Sequence, residues 1–272
     1  MAGKEQEEGR FPFAGKPLRD IPLPAATVLR DDEFGEAVLS AYHDTVKREF
    51  SNHEHLRIFK AAGGAVHGSN PFACVVLDSI VRPELRVATP PDIQAILDAR
   101  GKTRDALTLQ GFYKDTALAL RGIREPNSYL AQSLNEQVGL QIELPLIIYL
   151  SGLRLTEDTA SPYGLSFRLT ENSTYFTAPV LAEKSDHFNS SAVDRATGLP
   201  VQLGGTERYF YSMEEGLSRI YVGRGLSIDT IWDEMANSQA DGRVVFVDNS
   251  VPAGKVSQYL GRLDKATDLL ED

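Results

Sequence analysis

Two kinds of hydrophobic patterning divide this chain near Leu144. Before that residue, apolar side chains recur every three or four positions; after it they come in short runs rich in β-branched and aromatic residues. The later part reads PLIIYLSGLRL, YGLSFRLT, TYFTAPVL, ERYFYS, SRIYVG and RVVFVD, separated by Gly, Pro, Asn and Asp. Runs of this length and composition suit strands, with turns at Glu171-Asn-Ser173 and Asp241-Gly242. The regular strand–helix alternation that a parallel α/β sheet needs is missing. The expected class is therefore α+β, a helical N-terminal half packed on a mainly antiparallel, strand-rich C-terminal half with a terminal helix.

In the first half, Phe34, Val38, Ala41, Tyr42, Val46 and Phe50 follow helical spacing, and Asp31 or Asp32 is placed to cap the first turn. Ser51 to Glu54 reads as a capping box opening a second short helix, ended by Gly63-Gly64. The glycine-dense segment from Gly63 to Asn70 lacks the lysine–hydroxyl pair of a Walker loop and reads as a helix-to-strand connector. Thr89-Pro-Pro-Asp92 starts a helix that runs to Gly101, and Pro126-Asn127 starts another that Gly139 ends. Residues 105–121 fit helix or strand. Residues 229–237 read as a short helix, and the tail from Gly254 as a surface-packed one. This gives an extended arm at 1–24, a mainly helical region at 25–140 and a strand-rich region with short helices at 141–272. The last two read as integrated, because no Pro- or Gly/Ser-rich linker separates them at 139–143.

The 272 residues include 38 acidic and 28 basic ones, for a net charge of −10, which repels nucleic-acid backbones and anionic lipid. One window, Arg82 to Arg124, runs the other way, with eight basic residues against five acidic. Cys74 is the sole cysteine, which rules out an internal disulfide and suits a reducing compartment. MAGKEQEEGR lacks the basic start and apolar core of a secretory signal, and the apolar run at Leu144–Leu150 is too short to span a bilayer. The expectation is a cytoplasmic protein with no membrane partner.

Three constellations suggest chemistry without completing it. Gly-Leu-Ser recurs at 164–166, 216–218 and 225–227, but Arg168, Ile220 and Asp229 stand where a nucleophile elbow needs its second glycine. His43, His53 and His55 are metal-capable, yet on a continuous helix they do not converge, so no metal site is expected. Tyr209-Phe-Tyr211 followed by Tyr221-Val-Gly223 resembles the paired tyrosine signature of GIY-YIG nucleases, which implies two strands setting tyrosines beside metal-assisted phosphodiester cleavage. The first triplet lacks that family's glycine and isoleucine, and residues 229–237 lack its arginine. Aromatic packing between strands accounts for the tyrosines.

The favoured site is Gly223-Arg224-Gly225-Leu-Ser227, a glycine-flanked arginine and a hydroxyl between a strand and the expected helix. Backbone N–H groups at such a helix start, with Arg208, Arg219 and Arg243 on neighbouring strands, would bind a phosphate or carboxylate. The functional expectation is binding of a small anionic ligand; no reaction and no cofactor can be read from these residues. The alternatives are a non-catalytic interaction subunit of a homo- or hetero-oligomer, and a nucleic-acid-associated protein using the 82–124 window.

Overall fold

The computed structural model describes residues 12–13, 16–17, 26–29, 32–60, 66–67, 70–98, 112–139, 142–223, 225–238 and 241–255. In chain order these form β1 (Pro12–Phe13), β2 (Lys16–Pro17), β3 (Ala26–Val28), α1 (Glu33–Glu49), β4 (Phe59–Lys60) and β5 (Val66–His67). Next come α2 (Pro71–Val81), β6 (Leu85–Val87), α3 (Pro90–Asp98), β7 (Lys114–Leu120) and α4 (Ser128–Val138). Then follow β8 (Leu146–Tyr149), β9 (Arg154–Glu157), β10 (Leu165–Arg168), β11 (Tyr175–Thr177) and β12 (Asp186–Phe188). The last are β13 (Arg208–Tyr211), β14 (Leu217–Val222), β15 (Ile228–Asp229) and β16 (Val245–Asp248).

The fold is α+β, with N-terminal helices packed against a strand-rich C-terminal half. Its main sheet has the order β11-β8-β7-β14-β15-β13-β12 and is antiparallel except where β13 meets β15. Both faces of its centre are covered. Leu118, Leu120, Leu146, Ile148 and Leu217 pack with α1, α2 and α4, while Ala117, Ala119, Ile147, Phe210 and Ile220 pack with Leu181, Phe188 and Leu199. Every residue of β7 is buried as a result, which erases the alternation of a half-exposed strand and explains why 105–121 is ambiguous in sequence. A second sheet, β3-β16-β6, closes over Ile93 and Ile96 of α3.

Local signals placed three helices well. Asp32 caps α1, its Oδ1 accepting the Gly35 N–H at 2.8 Å, and Val38, Leu39, Tyr42 and Val46 form the buried stripe. Thr89 and Pro90 open α3, and Gly139, at φ +102°, ends α4.

Elsewhere the structure differs. Asn70 leads into α2, a helix buried on nearly all sides, where a connector to a strand was expected. A helix without a polar face carries no 3.6-residue stripe to read. Ser51 and Asn52 adopt left-handed backbone, at φ 50° and 57°, so the short element after α1 starts later, as one 3-10 turn at Glu54–Leu56 capped by His53. The helix expected at 229–237 does not form. Ile228–Asp229 is instead a strand between β13 and β14, its pairing extended by the Thr230 N–H to the Tyr211 carbonyl at 3.1 Å. Burial of Ile228 and Thr230 outweighs the local capping signal of Asp229, whose Oδ1 accepts the Ile231 N–H at 3.1 Å without starting a helix. The expected terminal helix falls mostly on residues 256–272, and most of the arm on 1–11 and 18–25, all outside the described residues.

Candidate functional site

At the 223–227 turn, the Gly223 N–H donates to the Ser227 carbonyl at 2.8 Å and the Leu226 N–H to the Gly223 carbonyl at 3.0 Å. The left-handed residue is Leu226, at φ 66°, while neither Gly223 nor Gly225 has positive φ, and a Cβ on Gly225 would meet open space. The glycines are therefore not demanded by backbone conformation. Arg224 lies outside the described residues. With β15 in place of a helix, no row of unpaired helical N–H groups follows the turn.

The three supporting arginines are each engaged within the fold. Arg208 is buried, with its guanidinium 4.8 Å from the Phe188 ring centre, Nε donating to the Leu226 carbonyl at 2.7 Å and Nη1 to Gln94 at 2.6 Å. Arg219 forms a two-point ion pair with Asp115, at 2.6 and 2.5 Å. Arg243 lies 4.0 Å over Phe112 and donates to the Gly242 carbonyl at 2.7 Å; burial lowers its pKa against the opposing pull of Asp241. Arg121 is also buried, and the partners found for it are neutral: the carbonyls of Leu181 and Thr230 and the hydroxyls of Ser218 and Thr230. Burial lowers its pKa to about 10.

Beside Arg219, the rings of Tyr113, Tyr221 and Trp232 line a hollow of about 20 Å³, room for little more than a water. Tyr221 shares a hydrogen bond with Asp229, and burial raises the pKa of both groups. Of the paired tyrosines, Tyr209 and Tyr211 stand on β13 and Tyr221 on β14, with β15 between them.

A larger space lies at the edge strand β11. It is a cleft of about 500 Å³ whose walls include Arg82, Arg86, Tyr149, Thr174, Phe176 and Arg195. Asp78 of α2, wholly buried, organises one wall: it accepts from Arg82 Nε at 2.5 Å, from the Val87 N–H at 2.7 Å and from the Gly152 N–H at 2.9 Å. Arg82 Nη2 reaches Ser151 Oγ at 2.6 Å. Asp92 does the same for the floor, pairing with Arg86 through both oxygens and accepting the Thr89 N–H at 2.9 Å and the Gly254 N–H at 3.0 Å.

The 194–197 turn also borders the cleft, through Arg195 and Ala196. Asp194 Oδ1 accepts the N–H groups of Ala196 and Thr197, at 3.0 and 2.7 Å, and the Tyr149 hydroxyl donates to the Ala196 carbonyl. Burial raises the Tyr149 pKa, helped by Asp92 and Asp194, so the hydroxyl keeps its proton as a donor. Arg195 is exposed at the tip of this turn, and its guanidinium has no hydrogen bond or ion pair among the described residues. Asp78 and Asp92 pair with the other two arginines, while the Asp194 carboxylate, one residue from Arg195, is taken up by backbone N–H groups of its own turn. Past Arg82 the cleft joins a groove of about 910 Å³ bordered by Glu49 and Glu171.

Of these residues the sequence singled out Arg82 and Arg86 as part of the basic window, and Thr89, Asp92 and Asn172 only as helix-start and turn residues. Nothing local distinguishes Arg195, Asn172 or Phe176 from ordinary loop and edge-strand residues. Ser166 and Ser218 are wholly buried, which removes both as nucleophiles. His53 and His55 approach with ring centres 5.2 Å apart, and His55 packs on Tyr163, while His43 packs edge-on against Tyr42. Among the described residues no three His, Cys, Asp or Glu side chains are placed to hold a metal ion, and no helix is long and apolar enough to cross a membrane. Compared with known proteins, the chain matches no protein family, no curated protein and no solved structure.

Proposed function

We propose that this protein binds a small ligand carrying a phosphate or carboxylate, and that the cleft at β11, rather than the 223–227 turn, holds it. The observation that carries the reading is Arg195, an exposed arginine with no hydrogen bond or ion pair among the described residues, lining a polar cleft whose other two arginines are fixed by buried carboxylates. A guanidinium meets a phosphate or carboxylate with two parallel donors, and Ser151 and Thr174 line the same cleft with hydroxyls. The volume falls within the ~300–1,000 Å³ of small-molecule sites. The turn has weaker support, because Arg208, Arg219 and Arg243 are turned to partners inside the fold.

Titration calorimetry with inorganic phosphate, sulfate and citrate tests this. Arg195→Ala should weaken the bound anion roughly tenfold or more, the range for a charge-assisted hydrogen bond, and Arg224→Ala should leave it unchanged. The opposite pattern would seat the anion at the turn. No heat and no thermal shift with any of the three would end the anion reading.

A second reading, an interaction subunit, is favoured by Tyr211, Ile231 and Trp232, large side chains each more than a third exposed close together at the β13–β15 end of the sheet. Sedimentation of the wild type and of Trp232→Ser would support it if the wild type alone self-associates.

A further inference from the structure

Phe176 is the one large aromatic side chain of the cleft left open to solvent, at 37% exposure. It stands on β11, and Thr174, just before that strand, lines the same cleft. Tyr149 touches the Phe176 ring at a centroid distance of 5.8 Å and an interplanar angle of 62°, and so steadies it. Asn172, in the turn that precedes β11, lines the cleft too. The side chains of Asn172 and Thr174 make no hydrogen bond among the described residues, although both line the cleft. Four groups without a full complement of protein partners thus share one cavity: a guanidinium, a carboxamide, a hydroxyl and an aromatic ring.

We propose that the anion bound here is joined to a planar ring with a hydrogen-bonding edge, the chemistry of a nucleoside monophosphate, with the phosphate at Arg195 and the base on Phe176. The inference rests on the anion reading above and adds the other end of the ligand. A carboxamide offers a donor and an acceptor side by side, which matches the paired donor and acceptor on a base edge, and Thr174 adds a group that serves as either. Stacking needs only the exposed ring. A strand of nucleic acid fits less well than a single nucleotide. Glu49 and Glu171 border the adjoining groove through which further phosphates would run.

Gly152 maintains the geometry. It has φ +86°, and a Cβ there would fall 2.3 Å from the Asn172 carbonyl oxygen, so the glycine lets the 170–174 turn close against the end of β8. The Thr170 and Ser173 hydroxyls donate to the Gly152 carbonyl at 2.7 and 2.9 Å. Asn172 is thereby presented to the cleft by a fixed turn.

The test is calorimetry on the full chain with inorganic phosphate, ribose 5-phosphate, phenyl phosphate and the four ribonucleoside 5′-monophosphates. At least one nucleotide should bind roughly tenfold or more tighter than ribose 5-phosphate, the gain expected of one stacked base. Phe176→Ala should remove that gain and leave phosphate affinity unchanged, Phe176→Tyr should keep it, and Arg195→Ala should weaken every ligand. Equal binding of ribose 5-phosphate and all four nucleotides would overturn the inference while the anion reading stands. So would phenyl phosphate matching the best nucleotide, since the base edge would then be unread. If neither phosphate nor any nucleotide binds, both fall together.

Discussion

Arg219 of β14 grips both carboxylate oxygens of Asp115 of β7, and the two can meet because the ladder between their strands carries a bulge. Ile220 pairs with Ala117 but Tyr221 pairs with Asp115, leaving Thr116 as the extra residue. The bulge turns Asp115 onto the sheet face that Arg219 and Tyr221 share. Arg219 Nη1 also donates to the Asn237 carbonyl at 2.7 Å, which ties the segment after β15 to the sheet. Burial alone would lower the Arg219 pKa, but the attraction and hydrogen bonds of Asp115 reverse this and raise it.

Asp115→Ala should destabilise the fold by about 3–5 kcal/mol, because it leaves a buried guanidinium without its counter-charge. The paired change Asp115→Leu with Arg219→Met should recover most of that loss, since two apolar side chains need no desolvation of charge. Urea denaturation checks both. A single variant within 1 kcal/mol of wild type would show that the pair is solvated in solution.

Asp229 gives a pH dependence. Burial holds its carboxyl above the ordinary carboxylate range, against the lowering effects of the Ile231 N–H, the Tyr221 hydroxyl and Arg219. The folded state keeps this proton to higher pH than the unfolded chain, so the group's contribution to stability falls as pH rises above about 4. Asp229→Asn removes that slope. Denaturation at pH 4 and pH 7 should show the variant gaining on wild type as pH rises; a constant difference would mean the carboxyl titrates normally.

Asp78→Ala should cost stability, roughly 3–5 kcal/mol, and also weaken anion binding, because Arg82 loses the carboxylate that aims it and the Val87 and Gly152 N–H groups lose their acceptor. Asp78→Asn keeps an oxygen for one of those donors and should lie between. Thermal melts and phosphate titrations on the same preparations measure both effects. Full binding by a destabilised Asp78→Ala would separate Arg82 from the ligand.

Two glycines should respond oppositely. Gly152→Ala forces a left-handed residue against the Asn172 carbonyl and should cost roughly 1–3 kcal/mol while weakening ligands in the cleft. Gly225→Ala meets no atom within 4 Å and has no positive φ, so it should change stability by less than about 0.5 kcal/mol. Melting temperatures decide this, and comparable losses in both variants would contradict the turn geometry.

What the sequence determined by itself was whatever a few neighbouring residues control. The cap Asp32, the Thr89-Pro90 helix start, the glycine stop at Gly139 and the one-sided stripe of α1 act within a turn or two of backbone, so they place helices without reference to the rest of the chain. The β-branched runs marked β8, β10, β13, β14 and β16, and with them the α+β class. Tertiary structure decided the rest, because those outcomes depend on partners distant in sequence. Burial on all sides hid α2, and pairing with β13 and β14 made a strand of Ile228–Asp229 against its own capping signal. The cleft draws on residues near 82–89, 149–151, 172–176, 195–196 and 249–253, five segments that no spacing rule connects. Buried Asp78 and Asp92 hold its arginine-bearing wall and floor through long-range hydrogen bonds, and only the folded chain brings Arg195 to the same cleft.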